Sequence, residues 1–326
     1  LPDHNANRSA VEAADLLRAG LISDRQRAIN PPPMSDTTAP TPIPVLTGST
    51  RLAGIAGWPV MHSRSPRLHG FWLRRHGIDG AYVPLPIKPG DFATAVQGLR
   101  AAGFRGMNVT QPHKLAAFAV CEVVDDTARR AGAVNTIVFT EDGIRGSNTD
   151  GSGFVAHLRA SGVDPAAGPV LLLGAGGGAR AVAAALQDAG ARVTIANRSP
   201  DPAAALAGDL PGLSVIPWEA RDAALADHAL LVNATSLGMQ DKPPLTLDLD
   251  RAAPGLVVAD LVYVPLETPL LAGARARGMR AVDGLGMLLH QAGFGFAAWF
   301  GVMPVVDEGL RLFVAGDLMT ERPPAR

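Results

Sequence analysis

From Arg51 onward, short apolar runs alternate with longer stretches whose apolar positions recur at helical spacing. That alternation marks strand–helix units built on a largely parallel sheet. RLAGIAG (51–57) reads as a strand, and SPRLHGFWLRRHG (65–77) as a helix with Ser65 at its cap and Pro66 in its first turn. AYVPLPI (81–87) is extended, DFATAVQGLRAAG (91–103) helical and FRGMNV (104–109) a strand. AVNTIVFTEDGIRG (133–146) predicts a strand, an acidic-glycine turn and a return strand, and TDGSGFVAHLRASG (149–162) a helix starting at Thr149 or Asp150.

A second series begins near Pro169. PVLLLGAGGGARAVAAALQDAG (169–190) is strand, glycine turn and helix, and ARVTIANRS, HALLVNATSLG and LVVADLVY supply further strands with short loops. DGLGMLLHQAGFGFAAWFG then predicts a helix from about Asp283, and a last helix follows over roughly Val305 to Met319. The pattern is that of two α/β domains: a first domain with a mostly parallel sheet, a second of Rossmann type, and C-terminal helices returning to the first. The expected boundaries are an N-terminal extension over 1–49, the first domain over 50–150, the dinucleotide domain over 151–283 and the returning helices over 284–320. Residues 9–28 can form a short helix, but the proline-rich stretch after it reads as a loose tail. Met34 is the expected natural start, which intact mass of the native protein checks.

Composition narrows the function classes. The 326 residues suffice for two domains, and with 47% hydrophobic residues, 18% charged and a formal net charge of −1 the chain is neither disordered nor suited to nucleic acid. The single cysteine, Cys121, excludes an internal disulfide and fits a reducing cytoplasm. The eight histidines show no metal-ligand spacing, so no metal is expected, and no apolar run is long enough to span a membrane.

In LLLGAGGGARA, Gly174, Gly176 and Ala179 form GxGxxA between a strand and a helix. The first glycine permits a tight turn, the second lets a pyrophosphate approach the backbone, and the small third residue lets helix and strand pack closely. Amides at the helix start then face the phosphates. At the end of the next strand, where an NAD site carries an acid for the ribose diol, stand Asn197, Arg198 and Ser199. An arginine without an acid favours the 2′-phosphate of NADP.

A dinucleotide site implies hydride transfer, which needs a proton-moving group and contacts that orient the reacting carbon. Lys114, at the end of GMNVTQPHK, and Asp150 are the natural pair, the carboxylate orienting the ammonium. Asn108, Thr110 and Asn135 offer neutral hydrogen bonds to a hydroxylated ligand. Ser63 and Ser65, just before a helix start, suit a carboxylate. The expected substrate is a small carboxylic acid with several hydroxyls.

The motifs GWPVMHSRSPRLHG, GMNVTQPHK, AGAVNTI, NTDG, GAGGGAR, NRS, NATSLGM, DLVY and GMLLHQA occur in one order, and by them the chain resembles the shikimate/quinate dehydrogenase family over about Arg51 to Met319. The resemblance implies NADP-dependent interconversion of 3-dehydroshikimate and shikimate in aromatic amino-acid synthesis. It implies that Ser63 and Ser65 bind the substrate carboxylate, that Lys114 and Asp150 are catalytic, and that Asn108, Thr110, Asn135 and Gln291 line the substrate. Tyr263 falls near the carboxylate or the nicotinamide. On the cofactor side it places Gly174, Gly176, Gly177, Gly178 and Ala179 at the phosphate turn and Asn197, Arg198 and Ser199 at the adenosine phosphate. Asn233, Thr235, Met239 and Gly284 then fall near the nicotinamide. Two departures stand out: Gly178 and Ala179 replace an Ala-Ser pair common in the family, and PDPAAALAG lacks a second basic residue after NRS, which implies a weaker NADP preference. A dual quinate/shikimate enzyme is the alternative within the family, and a silent dinucleotide-binding module the alternative outside it. The implied state is monomer or homodimer, with closure between domains.

Overall fold

The computed structural model describes residues 46–316 and Leu318, all within the unit Pro44–Arg326. The expected helix over 9–28, Met34 and the end of the last helix at Met319 lie outside the described residues.

Small and branched residues in RLAGIAG suit a strand covered on both faces, and β1 (Arg51–Gly57) occupies the inside of the first sheet. It is followed by α1 (Ser65–Arg75), β2 (Gly80–Pro86), α2 (Phe92–Ala101) and β3 (Gly106–Val109). After the TQPH turn come α3 (Lys114–Val120), the two-residue β4 (Val123–Val124), α4 (Asp126–Ala131) and the hairpin β5 (Thr136–Thr140) and β6 (Gly143–Ser147). The strand order is β2-β1-β3-β5-β6-β4. The sheet is mixed: β5 pairs antiparallel with both β3 and β6, while the other pairings are parallel. Ser65 is the first helical residue of α1 and not its cap; Arg64 holds that position, and Ser63 Oγ accepts the Ser65 amide at 3.3 Å.

From the first sheet α5 (Asp150–Ala160) leads into the second. There β7 (Val170–Leu173), α6 (Gly177–Asp188), β8 (Val193–Ala196), α7 (Pro200–Asp209), β9 (Ser214–Ile216), the one-turn α8 (Arg221–Ala224), β10 (Leu230–Asn233), β11 (Val257–Asp260), α9 (Pro269–Ala276) and β12 (Arg280–Val282) follow. Every pairing is parallel, in the order β12-β11-β10-β7-β8-β9. This is the doubly wound dinucleotide-binding order, with its switch point between β7 and β10. The apolar runs VLLL and LLVN are fully buried, as strands covered by helices on both faces must be.

The chain then returns to the first sheet through α10 (Gly284–Phe300) and α11 (Glu308–Ala315). Phe296, Trp299 and Phe300 pack with Leu68, Trp72 and Tyr82, and Trp299 Nε1 donates to the Ile137 carbonyl at 3.0 Å. Each such buried aromatic contributes roughly 2–3 kcal/mol. No helix among the described residues is long and apolar enough to cross a membrane.

Helix α5 is the joint between the sheets. A Cβ on Gly151 would overlap the Ala181 carbonyl of α6, and a Cβ on Gly153 would come within 2.5–2.6 Å of Gln291 on α10. Gly151→Ala should therefore lower stability by about 2–3 kcal/mol through overpacking. Gly70→Ala, in α1 with nothing within 4 Å of the added methyl, should raise it by about 0.5–1 kcal/mol. Urea unfolding of both variants checks this, and a Gly151→Ala protein as stable as the parent would remove the joint from the account.

Between α5 and α10 the His157 and His290 rings lie 5.8 Å apart, and His157 Nε2 is 3.0 Å from the Asp283 carbonyl. Burial, then the neighbouring His157, lower the His290 pKa from 6.5 to about 4. The unfolded chain thus binds a proton that the folded chain refuses between those values, so stability falls as pH drops through that window and is unaffected above it. In urea titrations the parent should lose stability relative to His290→Gln between pH 6.5 and 4. Parallel curves across that range would show that this site does not titrate in folding.

Candidate active site

The polar residues of the first domain gather at one edge of its sheet. The loops after β1 and β3 carry Ser63 and Thr110, Lys114 opens α3, and the turn after β6 carries Asn148, Thr149 and Asp150. Asn135 joins them because β5 runs against its neighbours, so that the start of β5 lies at the edge where β3 and β6 end.

Lys114 Nζ donates to Asp150 Oδ2 at 2.5 Å, and the two side chains keep 26% and 14% of their surface exposed. The pair is therefore held by the protein yet open on one side. Asp150 occupies the first turn of α5, where the helix favours an anion. Its Oδ1 accepts Asn135 Nδ2 at 2.8 Å, and its backbone N–H donates to Asn148 Oδ1 at 3.1 Å. Asn135 is buried and fully occupied: its Oδ1 accepts the Thr149 amide at 2.9 Å and the Thr136 hydroxyl at 2.9 Å. Asn108 is also buried, with Nδ2 donating to the Asn135 carbonyl and Thr136 Oγ1, and Oδ1 accepting the Tyr82 hydroxyl at 2.7 Å. Both amides thus shape the site by holding Asp150 and the start of β5. Thr149 Oγ1 donates to Gln291 Oε1 at 3.2 Å, which ties α10 to this edge.

Thr110 is half-buried, and its methyl packs over Gly57, where a Cβ would meet it at 2.6 Å. Its amide donates to the Ala56 carbonyl at 2.9 Å, fixing the turn that delivers Lys114. Ser63 is half-buried and Ser65 buried at the start of α1. Burial raises the Tyr263 phenol above its ordinary range, with the Arg64 charge opposing. Arg64, between the two serines, therefore brings a positive charge near Tyr263.

On the second sheet Gly174 has a φ of +108°, and a Cβ there would press on Ala234 in the loop after β10, at the switch point. Gly176 and Gly177 have no atom within 4 Å of an added Cβ, so the start of α6 is open to a phosphate; Gly178 meets only Leu261, and Ala179 is buried against the sheet. Asn197 Nδ2 donates to the Ser199 carbonyl at 2.7 Å, while Arg198 and Ser199 are exposed and positions 197–199 hold no acidic residue. These residues fit a phosphorylated dinucleotide. Asn233 is fully buried: Nδ2 donates to Leu237 O and Asp260 Oδ1, and Oδ1 accepts from the amide and hydroxyl of Thr235. It folds the loop that carries Thr235 and the exposed Met239. Gly284 is buried against the backbone of Leu261, where a side chain would not fit.

Tyr82, Thr136, Thr149 and Asp260 were not among the residues singled out from the sequence. Thr149 lies beside Asp150 in NTDG and Asp260 opens DLVY, so both had a signal; Tyr82 sits in an ordinary strand and had none. Among the described residues no group of His, Cys, Asp or Glu is placed to hold a metal ion.

Residues 55–137 match the family model described as the shikimate dehydrogenase substrate binding domain, and residues 160–239 that of shikimate / quinate 5-dehydrogenase. The chain is 71% identical over 275 residues to the shikimate dehydrogenase (NADP(+)) of Acidiphilium cryptum, covering 84% of this chain and 99% of that protein. To the protein of the same name from Rhodospirillum rubrum it is 55% identical over 281 residues, covering 83% and 99%. The crystal structure of shikimate 5-dehydrogenase from Thermus thermophilus in complex with NADP(H) and shikimate is similar with a TM-score of 0.75 at 38% identity, covering 82% of this chain and 100% of that one. Matched across both sheets and at this level of identity, the chain belongs to the shikimate/quinate dehydrogenase family.

Proposed function

We infer that the chain catalyses the reversible reduction of 3-dehydroshikimate to shikimate with NADP(H), the activity named for its close relatives. The observation that carries the reading is the half-open Lys114–Asp150 pair, fixed from behind by Asn135 and lying at the strand edge that also bears Ser63 and Ser65. Bound NADPH supplies the hydride for the 3-keto carbon.

The chain's own residues do the rest. Lys114 Nζ gives its proton to the oxygen at that carbon during reduction and takes it back during oxidation. Asp150 keeps the ammonium aimed and accepts a hydroxyl of the ring. The hydroxyls of Ser63 and Ser65, with the amides that open α1, hold the carboxylate. Gln291, tied to Thr149, borders the ring from α10. The open turn at Gly176 and Gly177 receives the pyrophosphate, and Arg198 reads the 2′-phosphate. Water is excluded as the two sheets close on α5 and α10.

Two kinetic experiments test these roles. Lys114→Ala should lower kcat by about 10²–10⁴-fold with KM changed only a few-fold, since a proton-moving group acts in the transition state. Ser63→Ala should raise KM for shikimate by about tenfold with kcat nearly unchanged, the cost of one hydrogen bond to a charged group. A Lys114→Ala enzyme with near-normal turnover would take the lysine out of the mechanism.

Cofactor and substrate choice are read by following the absorbance of reduced cofactor with shikimate and quinate, each with NADP and NAD. Turnover of shikimate with NADP is expected. Arg198→Ala should then lower kcat/KM for NADP by at least about tenfold while leaving NAD within about twofold. Equal losses with both cofactors would mean that Arg198 does not read the phosphate. Strong quinate turnover would make the enzyme a dual one, and none with any pair would leave only dinucleotide binding.

A further inference from the structure

A row of hydrogen bonds enters Asp150 from the interior of the first sheet. Tyr82 on β2 reaches across β1 and donates its hydroxyl to Asn108 Oδ1 at 2.7 Å. Asn108 Nδ2 donates to Thr136 Oγ1 at 3.1 Å, Thr136 Oγ1 to Asn135 Oδ1 at 2.9 Å, and Asn135 Nδ2 to Asp150 Oδ1 at 2.8 Å. Lys114 occupies the other oxygen of that carboxylate. Every link runs the same way, each group donating toward Asp150.

The direction follows from chemistry. Asn108 Nδ2 also lies 3.2 Å from the Asn135 carbonyl, which only accepts, so the amide has to point that side inward and its oxygen toward Tyr82. Thr136 has one hydroxyl proton; with Asn108 donating to it, that proton goes to Asn135 Oδ1 at 2.9 Å in preference to the more distant Thr149 Oγ1 at 3.4 Å. Asn135 is then bound to present its NH₂ to the carboxylate.

At the head of the row the phenol has little choice. Its ring stacks on His69 at 3.9 Å and lies 5.8 Å from Trp299, and the other polar neighbour of its hydroxyl is Ser65. His69 is fully buried with both ring nitrogens unpartnered, and desolvation lowers its pKa to about 3, the Asn108 side chain opposing. A neutral ring therefore covers the phenol. Burial also raises the Tyr82 phenol well above its ordinary range, so it remains a donor.

We propose that Tyr82 is a positioning residue for the reaction, acting through Asn108, Thr136 and Asn135 to aim the Asp150 carboxylate at Lys114. This rests on the reading of Lys114 and Asp150 as the reacting pair. A residue that served only packing would need the ring and not the hydroxyl.

Tyr82→Phe removes that hydroxyl and keeps the ring. Its kcat for shikimate oxidation should fall about fivefold, the value of one buried neutral hydrogen bond, with KM changed less than twofold. Thr136→Val, which cuts the row in the middle, should cause a similar loss, and Thr136→Ser should restore turnover. The double variant Tyr82→Phe/Thr136→Val should lose little more than the worse single one, because both break one row. Should Tyr82→Phe fold poorly, the Thr136 pair carries the same test.

Nitrogen-15 NMR of the protein without substrate or cofactor gives a reading independent of activity. The side-chain amide resonances of Asn135 should shift in Tyr82→Phe and Thr136→Val and return in Thr136→Ser. A raised KM with unchanged kcat would attach Tyr82 to the Ser65 anchor and overturn the proposal, as would losses that multiply in the double variant or Asn135 resonances that do not move. If the parent protein fails to turn over shikimate while those resonances move as expected, the functional reading falls and the row of hydrogen bonds stands.

Discussion

Helix α5 begins with the Asp150 carboxylate and lies in direct backbone contact with two other helices, and the rest of the structure is arranged around that crowding. Gly151 admits the Ala181 carbonyl and Gly153 the backbone of Gln291, so one helical turn touches α6 and α10 at once. The start of α6 is the open glycine turn, while α10 carries Gln291 and the aromatic residues that cover the first sheet. The separation between the glycine turn and Asp150 is thus set by a joint in which a methyl group is too much. Interiors packed at crystal density transmit such displacement, so the joint fixes geometry on both sides.

Around Asp150 the protein uses amides and hydroxyls and keeps its charges at the rim. Asn108, Asn135 and Thr136 are buried with their donors and acceptors paired, and each unpaired group would cost about 1–3 kcal/mol. Neutral partners orient a carboxylate without competing for the lysine, and the donors converging on Asp150 leave the Lys114 pairing as its charged contact. His69 shows the other solution open to a buried polar ring. It stays neutral and stacks, leaving its nitrogens without partners.

Much of this was legible in the sequence, for physical reasons. β1 and the hairpin β5–β6 have clean apolar patterns bounded by turn residues, and GxGxxA marks the turn between a strand and a helix. The residues Lys114, Asp150, Asn135 and Ser63 were all named from motifs, and the fold brings them to one edge. What periodicity does not carry is direction. That β5 runs against its neighbours, putting Asn135 beside Asp150, depends on which strand it joins. Very short elements such as β4 and β12 lie below the length at which a period can be read. Nor does residue type tell inward from outward: Asn233 and Gly284 are buried with contacts made to backbone, and Ser65 sits one position inside the helix it was expected to cap.

Exposure, more than residue type, separates the two braced carboxylates of this chain, Asp260 and Asp150. Asp260, at the end of β11, accepts Asn233 Nδ2 at 2.9 Å, the Val262 amide at 3.0 Å and the Thr268 hydroxyl at 2.7 Å, much as Asp150 is held from behind. Asp260, however, is 1% exposed, and desolvation raises its pKa to about 6 against the pull of those three donors. With its oxygens committed to the NATSLGM and DLVY loops, it is a tie between strand ends on the cofactor side. Asp150 has the same kind of support but keeps an open side and a lysine there, so the order imposed by its neutral neighbours reaches a solvent-accessible group. One device, a carboxylate braced by amides and hydroxyls at a sheet edge, thus gives a fixed loop when it is closed over and an oriented, accessible ion pair with Lys114 when it is left open.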